Sequence, residues 1–236
     1  MTQRAIDLIT AQLERHANLD AGDREAVAQM PIKTQTVRAG AFLIREGEAV
    51  SDHLVLLSGC AQRNKLARSG GRQIVAIQIP GEAISCSSLF FDRAAHSTQA
   101  LTSVEVAGIP RDRFRELVLC RPAIVQAIMK MTSIEASISS EWLLNIGRRP
   151  AKTRVAHLIC ELAARFDQAG MANGVEYDIP LTQEQIGDAL GLTAVHVNRM
   201  LKELDEQTLV IRDGRRVMLP NRARLEQLAD YNGSYL

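Results

Sequence analysis

The stretch Leu181-Thr182-Gln183-Glu184-Gln185-Ile186-Gly187-Asp188-Ala189-Leu190-Gly191-Leu192-Thr193-Ala194-Val195-His196-Val197-Asn198-Arg199-Met200-Leu201-Lys202-Glu203-Leu204 decides how this chain is read. Thr182 can cap a short helix, and Gln185, three residues on, completes a capping box. Ile186, Ala189 and Leu190 supply that helix with an apolar face. Gly191 permits the left-handed residue that lets a second helix leave at a steep angle, and Thr193 caps that second helix. Within it Val197, Leu201 and Leu204 are spaced i, i+4 and i+7 and face a core. Val195, His196, Asn198, Arg199 and Lys202 are then left on or near the outer side.

Such an arrangement predicts a helix-turn-helix whose second helix sets side chains against base edges in the DNA major groove. Arg199 has the two-pronged donor that grips guanine O6 and N7, and an apolar Val195 can touch a thymine methyl. Val195, His196, Asn198 and Arg199 are the expected base contacts. Downstream, Leu209 to Arg212, a turn at Asp213-Gly214, and Arg215 to Leu219 read as a β-hairpin wing. Its Arg212, Arg215 and Arg216 sit where a phosphate backbone would pass. With Thr182, Thr193, Lys202, Arg148 and Arg149 they form the expected phosphate-contacting set. A solvated helical hairpin used for protein contact is the competing reading of the same pattern.

Upstream, Pro122 to about Ile146 has no glycine or further proline, and Ile124, Ile128, Met131, Ile138 and Trp142 recur at helical spacing with a gap at Glu135. Periodicity alone leaves two readings open: a helix packed back on the preceding domain, or one paired with its twin across a dimer axis. Gly147-Arg148-Arg149-Pro150 breaks the pattern and marks a hinge. Ala151 to Ala169 is a further amphipathic helix carrying Val155, Leu158, Ile159, Leu162 and Phe166, and Gly174 to Ile179 reads as a strand.

The front of the chain has the other period. Residues 34–109 hold short β-branched and apolar runs (Ala41–Ile44, His53–Leu57, Ala61–Ala67, Gln73–Ile79 and Val104–Ile109) with glycines between or beside them. That spacing predicts an antiparallel sandwich or barrel. Met1 to Met30 and Arg111 to Val118 read as helical. The expected fold class is α+β, with a sensor domain over 1–120, a dimerisation helix and hinge over 121–147, and a winged helix-turn-helix over 148–236.

Bulk composition is that of a globular chain, with 46% hydrophobic and 23% charged residues. Without an apolar run of about 18–20 residues or a signal-peptide core, a cytoplasmic protein with no membrane partner is expected. Net charge is +1, and from Gly147 onward 12 Lys+Arg face 12 Asp+Glu, so the DNA reading rests on local clustering. The four cysteines (Cys60, Cys86, Cys120, Cys160) form no Cys-x-x-Cys pair, and no metal site is expected from them. A cupin-like barrel enzyme is the main competing class. It would need a His-x-His with a further His and Glu, and the histidines His16, His53, His96, His157 and His196 do not supply that set. No catalytic residues are expected.

From Arg38 to Leu219 the chain resembles the Crp/Fnr family of bacterial transcription regulators. The resemblance is carried by Thr182-Gln183-Glu184-Gln185-Ile186-Gly187, Leu190-Gly191, Val197, Arg199 and Leu201-Lys202. In the front half it is carried by Gly40, Glu46-Gly47-Glu48, Leu57-x-Gly59 and Pro80-Gly81-Glu82. It implies a β-roll of the cyclic-nucleotide-binding type and a long dimerisation helix, which favours the homodimer. It also implies a winged helix-turn-helix on a palindromic operator, RNA polymerase as a partner, and a place for a small-molecule effector. That place would be built from Gly81, Glu82, Ser85, Cys86, Ser87, His96, Ser97, Ser139 and Ser140.

Departures from the family pattern bear on the effector. Cyclic-AMP-binding members carry a Gly-Glu-Leu cassette and an Arg-Ser-Ala segment that hold ribose and phosphate. Here Ser85-Cys86-Ser87 and His96-Ser97-Thr98 stand instead, so cyclic AMP is not the expected effector. A cyclic-nucleotide-responsive regulator, or a regulatory subunit of another protein, stays as the alternative. The cysteine cluster of oxygen-sensing members is missing, since no cysteine precedes Cys60. A haem on His53 or His96 is not expected either, while a redox or thiol-reactive role for Cys86 stays as an alternative to a small effector. Ala194-Val195 replaces the Arg-Glu common in relatives, so the Glu–cytosine contact is not expected.

Overall fold

The computed structural model describes residues 2–84 and 86–236, and the chain divides into two compact units. The first comprises Met1–Lys65 and Ala76–Ala136; the second comprises Leu66–Val75 and Ser137–Leu236.

Helices α1 (Thr2–Glu14) and α2 (Ala21–Ala28) lead into seven strands, which fall in the first unit except for Leu66 of the fourth and Arg72–Val75 of the fifth. These are β1 (Lys33–Val37), β2 (Phe42–Ile44), β3 (Asp52–Ser58), β4 (Ala61–Leu66), β5 (Arg72–Gln78), β6 (Ser97–Ala100) and β7 (Val104–Pro110). The helical stretch expected over the first 30 residues is broken because Asp20 caps α2, in a reciprocal box with Asp23. The strands form two antiparallel sheets, ordered β1-β7-β3 and β2-β6-β4-β5. Strand β3 pairs with β7 so that Val55 lies opposite Ala107 and His53 opposite Ile109. Their inward residues join α1, α3 (Arg111–Cys120) and the start of α4 (Pro122–Arg148) in one apolar cluster around Phe114, Ile9 and Ile124. Strands β1 and β6 carry no apolar run because Lys-Thr-Gln-Thr-Val and Ser-Thr-Gln-Ala are mostly polar; alternating Thr34 and Thr36 mark β1, and a single Thr98 marks β6.

Helix α4 corrects the expected dimer face. Ile124 and Ile128 are buried within the first unit, Met131 packs against the same cluster, and Trp142 is buried further along. Ile138 is half-buried. A side chain already covered by its own chain has little apolar area left to give a partner. The exposed line runs instead through Gln126, Met129, Ser133, Ala136, Ser140, Leu143 and Gly147, in alternating steps of three and four. Glu135, the gap in the apolar stripe, pairs with the guanidinium of Arg63 on β4.

The second unit contains α5 (Ala151–Gln168), β8 (Glu176–Asp178), α6 (Gln183–Leu190), α7 (Ala194–Glu206), β9 (Ile211–Asp213), β10 (Arg216–Met218) and α8 (Arg222–Leu228). The five apolar residues expected to mark one face of α5 are all buried. The small sheet is ordered β8-β10-β9, so the expected hairpin gains a third strand on its β10 side. Among the described residues no single helix is long and apolar enough to cross a membrane.

Candidate nucleic-acid interface

Two caps and two glycines set the α6–α7 geometry. Thr182 Oγ1 accepts the Gln185 amide at 3.1 Å while Gln185 Oε1 accepts the Thr182 amide at 2.9 Å. Gly191 ends α6 with φ +66°, the left-handed region that favours glycine. The Leu192 amide then donates to the Gly187 carbonyl at 3.0 Å. Gly187 carries a constraint the sequence reading did not assign to it. A β-carbon there would stand 2.4 Å from the Leu192 carbonyl oxygen, so only glycine lets the turn close. Thr193 Oγ1 accepts the His196 amide at 3.2 Å and fixes the first turn of α7.

With the turn fixed, the faces of α7 follow. Val197, Met200, Leu201 and Leu204 are buried; Ala194, Val195, Asn198, Arg199 and Lys202 are exposed. His196, expected among the base contacts, is half-buried and stands at the edge of that face. The exposed side chains at 195, 198, 199 and 202 form one ridge near the helix N-terminus, whose free amides favour anions. The hydroxyls of Thr182 and Thr193 accept the capping amides and keep their own protons to donate.

The arginines separate into exposed ones and internal braces. Arg148 and Arg216 are exposed, and the nearest acid to Arg216, Glu176, is 3.9 Å away. Arg215 is exposed but forms a two-pronged pair with Asp178, at 2.9 and 2.6 Å. Arg149, expected at phosphate, is buried between Glu141 at 3.1 Å and Asp230 at 3.4 Å, which corrects that expectation. Arg212 is likewise turned inward. It donates to the Leu181 carbonyl and, at 2.9 Å, to the Gly214 carbonyl, tying the wing to the start of α6. Arg154, which the sequence reading did not single out, donates to the carbonyls of Arg149 (2.8 Å) and Leu190 (3.1 Å). It thus pins α5 to the end of α6; arginine on an otherwise amphipathic helix gave no signal of this.

The first unit holds a cavity of about 390 Å³, including its mouth, lined by Ile44, Leu54, Ile84, Phe91, His96 and Thr98 among others. Of the expected effector residues, His96 lines it. Burial, then Arg63 and Lys65, holds the His96 imidazole down to about 4, so it is neutral near pH 7. Glu82 accepts the Ile79 amide and Ser97 accepts the Glu46 amide, so both brace turns. Gly81 is buried, and Ser139 and Ser140 stand exposed on α4. Ser85 and the side chain of Ser87 lie outside the described residues. Burial, chiefly, pushes the Cys86 thiol up to about 12, so the thiolate needed for redox chemistry is scarce at neutral pH. His53 is a core residue stacked on Phe114 at 4.7 Å, its imidazole held down to about 4 by burial. No group of three or more His, Cys, Asp or Glu side chains is placed to hold a metal among the described residues.

Two family profiles match the chain, the cyclic nucleotide-binding domain over residues 34–119 and the Crp-like helix-turn-helix domain over residues 153–228. The chain belongs to the Crp/Fnr family of transcriptional regulators. It is 26% identical over 212 residues to the transcriptional activator protein Anr of Pseudomonas protegens, covering 90% of this chain and 86% of that protein. To the nitrogen fixation regulation protein FixK of Azorhizobium caulinodans it is 28% identical over 220 residues, covering 92% and 88%. Among solved structures, FixK2 from Bradyrhizobium japonicum superimposes with a TM-score of 0.76 at 26% identity, over 84% of this chain and 96% of that one. Membership makes the Crp/Fnr chain a DNA-binding transcription regulator and places it in a regulatory rather than a catalytic family.

Proposed function

We propose that the chain acts as a homodimer, reads a two-fold symmetric DNA site through α7, and does not use cyclic AMP as its effector. The carrying observation is the exposed ridge Val195, Asn198, Arg199 and Lys202, held in register by two threonine caps and a glycine turn. Arg199 reads guanine, and Asn198 has the donor–acceptor pair that suits adenine. Arg148, Arg216, Lys202, Thr182 and Thr193 supply phosphate contacts, with Arg215 joining them when it leaves Asp178. Residues 1–120 serve as the sensor, 121–147 as the dimerisation helix, and 148–236 as the reader. The dimer reading is supported by the exposed three–four repeat on α4, the spacing of a two-helix seam. RNA polymerase is a further partner by likeness to the transcriptional activator protein Anr.

Two observations support the reading against cyclic AMP. A cyclic phosphate needs a cation; the buried guanidinium of Arg63 is already paired with Glu135, and Arg93, which lines the cavity, donates to the Gly47 carbonyl at 2.8 Å. The imidazole that lines the cavity is neutral. The experiment is enrichment of binding sites from random duplexes, followed by mobility shift on the recovered sequence and calorimetry with cyclic AMP. Recovery of a palindrome bound by two copies, with no heat of nucleotide binding, is expected. Failure to enrich any sequence would overturn the DNA reading, and micromolar nucleotide binding would overturn the effector reading.

A further inference from the structure

Val195 is 82% exposed, more than any other large hydrophobic side chain among the described residues. It sits in the first turn of α7, one helical turn before Arg199, and its neighbours on that ridge are Ala194, Asn198 and Arg199. No apolar side chain flanks it at i+3 or i+4, so nothing on its own helix covers it. A branched apolar group held out in water this way has a cost in free energy that a contact would recover. The backbone around it cannot turn it inward, because the Thr193 cap and the buried Val197 and Met200 fix the register of the turn. The only apolar feature that base pairs present in the major groove is the thymine 5-methyl group.

We propose that Val195 is a specificity-determining residue that selects a thymine by van der Waals contact with its 5-methyl group. The inference rests on the reading of α7 as the DNA-contacting helix. A valine has no hydrogen-bonding atom, so cytosine at that pair finds neither a methyl to pack on nor an acceptor for its amino group. Thymine is preferred there through a single methyl, and that methyl can be removed without touching any Watson–Crick atom.

The test uses the full-length protein and the duplex enriched above. Each thymine of one half-site is replaced in turn by uracil, and affinity is measured for the wild type, Val195→Ala and Val195→Thr. One thymine should stand out, its replacement weakening wild-type binding about fourfold. That factor corresponds to about 0.8 kcal/mol for one buried methyl at 1.4 kcal/mol per tenfold. Replacement in both half-sites should weaken it about fifteenfold. Val195→Ala should bind the thymine and uracil duplexes alike, whereas Val195→Thr, which keeps a methyl, should retain most of the difference. Putting 5-methylcytosine at a half-site whose sensitive thymine has been changed to cytosine should restore affinity for the wild type only. If Val195→Ala shows the same uracil penalty as the wild type, or no thymine is sensitive, the assignment is wrong while DNA reading by α7 stands. If no duplex is enriched at all, the DNA reading falls with it.

Discussion

Trp142, near the end of α4, donates its indole N–H to the carboxylate of Glu161 on α5 at 2.9 Å, and both side chains are buried. Arg165 Nη1 approaches the other oxygen at 3.2 Å and the Tyr235 hydroxyl donates to the first at 3.3 Å. Burial pushes the Glu161 carboxyl up, against the pull of Arg165 and the two donors. A four-residue knot therefore binds the last turns of α4, helix α5 and the C-terminal segment together. Removing its centre takes away a carboxylate shared by the Arg165 charge, an indole and a phenol. Glu161→Ala should destabilise the chain by roughly 3–5 kcal/mol in urea denaturation. Glu161→Gln, which keeps an acceptor for Trp142, should cost less than half of that. Equal losses in the two variants would show that volume, and not hydrogen bonding, holds the site.

Three histidines make the fold sensitive to mild acid. His53, His96 and His157 are each held down to about 4, in every case first by burial. For His157 the Arg149 cation adds to burial and Asp230 opposes it. A histidine that titrates near 6.5 unfolded and near 4 folded binds its proton more readily in the unfolded chain. Its contribution is therefore fully present above about pH 6.5 and is lost as pH falls toward 4. For fully buried His53 the loss between pH 7 and pH 5 is about 2 kcal/mol. His53→Phe keeps the ring against Phe114, so denaturation of that variant should show a flatter pH dependence over this interval. An unchanged slope would mean that His53 escapes protonation in the folded chain by some other route.

Much of the reader was legible in the sequence because each of its parts has a local cause. Thr182, Thr193 and Gly191 act within four residues of themselves, and the buried set Val197, Leu201 and Leu204 is a matter of helical period. Residues whose partners are distant in sequence could not be read in this way. Arg149 and Arg148 are neighbours with identical side chains. One is buried against Asp230, which lies 81 residues away, and the other is exposed. Arg212 was drawn to phosphate by its place in the wing, yet the Leu181 carbonyl claims it. On α4 the apolar stripe was real, but periodicity shows only that a helix has a buried face. Ile124 and Ile128 join one cluster with residues of α1, α3, β3 and β7, whose approach no local pattern records. Gly187 was visible as a residue of the motif and silent as a constraint, because its contact is made across the turn.

The seam on α4 makes a distinct prediction for oligomeric state. Leu143 and Met129 are exposed large side chains on the same three–four line, with Ser133, Ala136 and Ser140 between them. Small residues there let two helices approach closely, and a carboxylate in the seam would be buried without a partner. Leu143→Glu and Ala136→Glu should each shift the sedimenting species from dimer to monomer at micromolar concentration. Leu144→Glu, one position off the line, should leave the dimer intact. Dissociation by all three alike, or by none, would rule out this line as the seam.

The last prediction separates reading from attraction from bracing. Arg199→Ala removes a base-directed fork, and should cost about 1–3 kcal/mol on the enriched operator while relaxing preference at one base pair of each half-site. Lys202→Ala and Arg216→Ala remove exposed cations without a base-edge role. They should weaken operator and random duplex by the same factor and lower the slope of log affinity against log salt by about 1 per lost phosphate contact. Arg149→Ala is the control, since that side chain is spent on Glu141 and Asp230. It should lower the urea midpoint, because two carboxylates lose their cation, and should leave the salt slope unchanged. A reduced salt slope in Arg149→Ala would place this arginine at the DNA after all, and an unaltered base preference in Arg199→Ala would refute the outward assignment of α7.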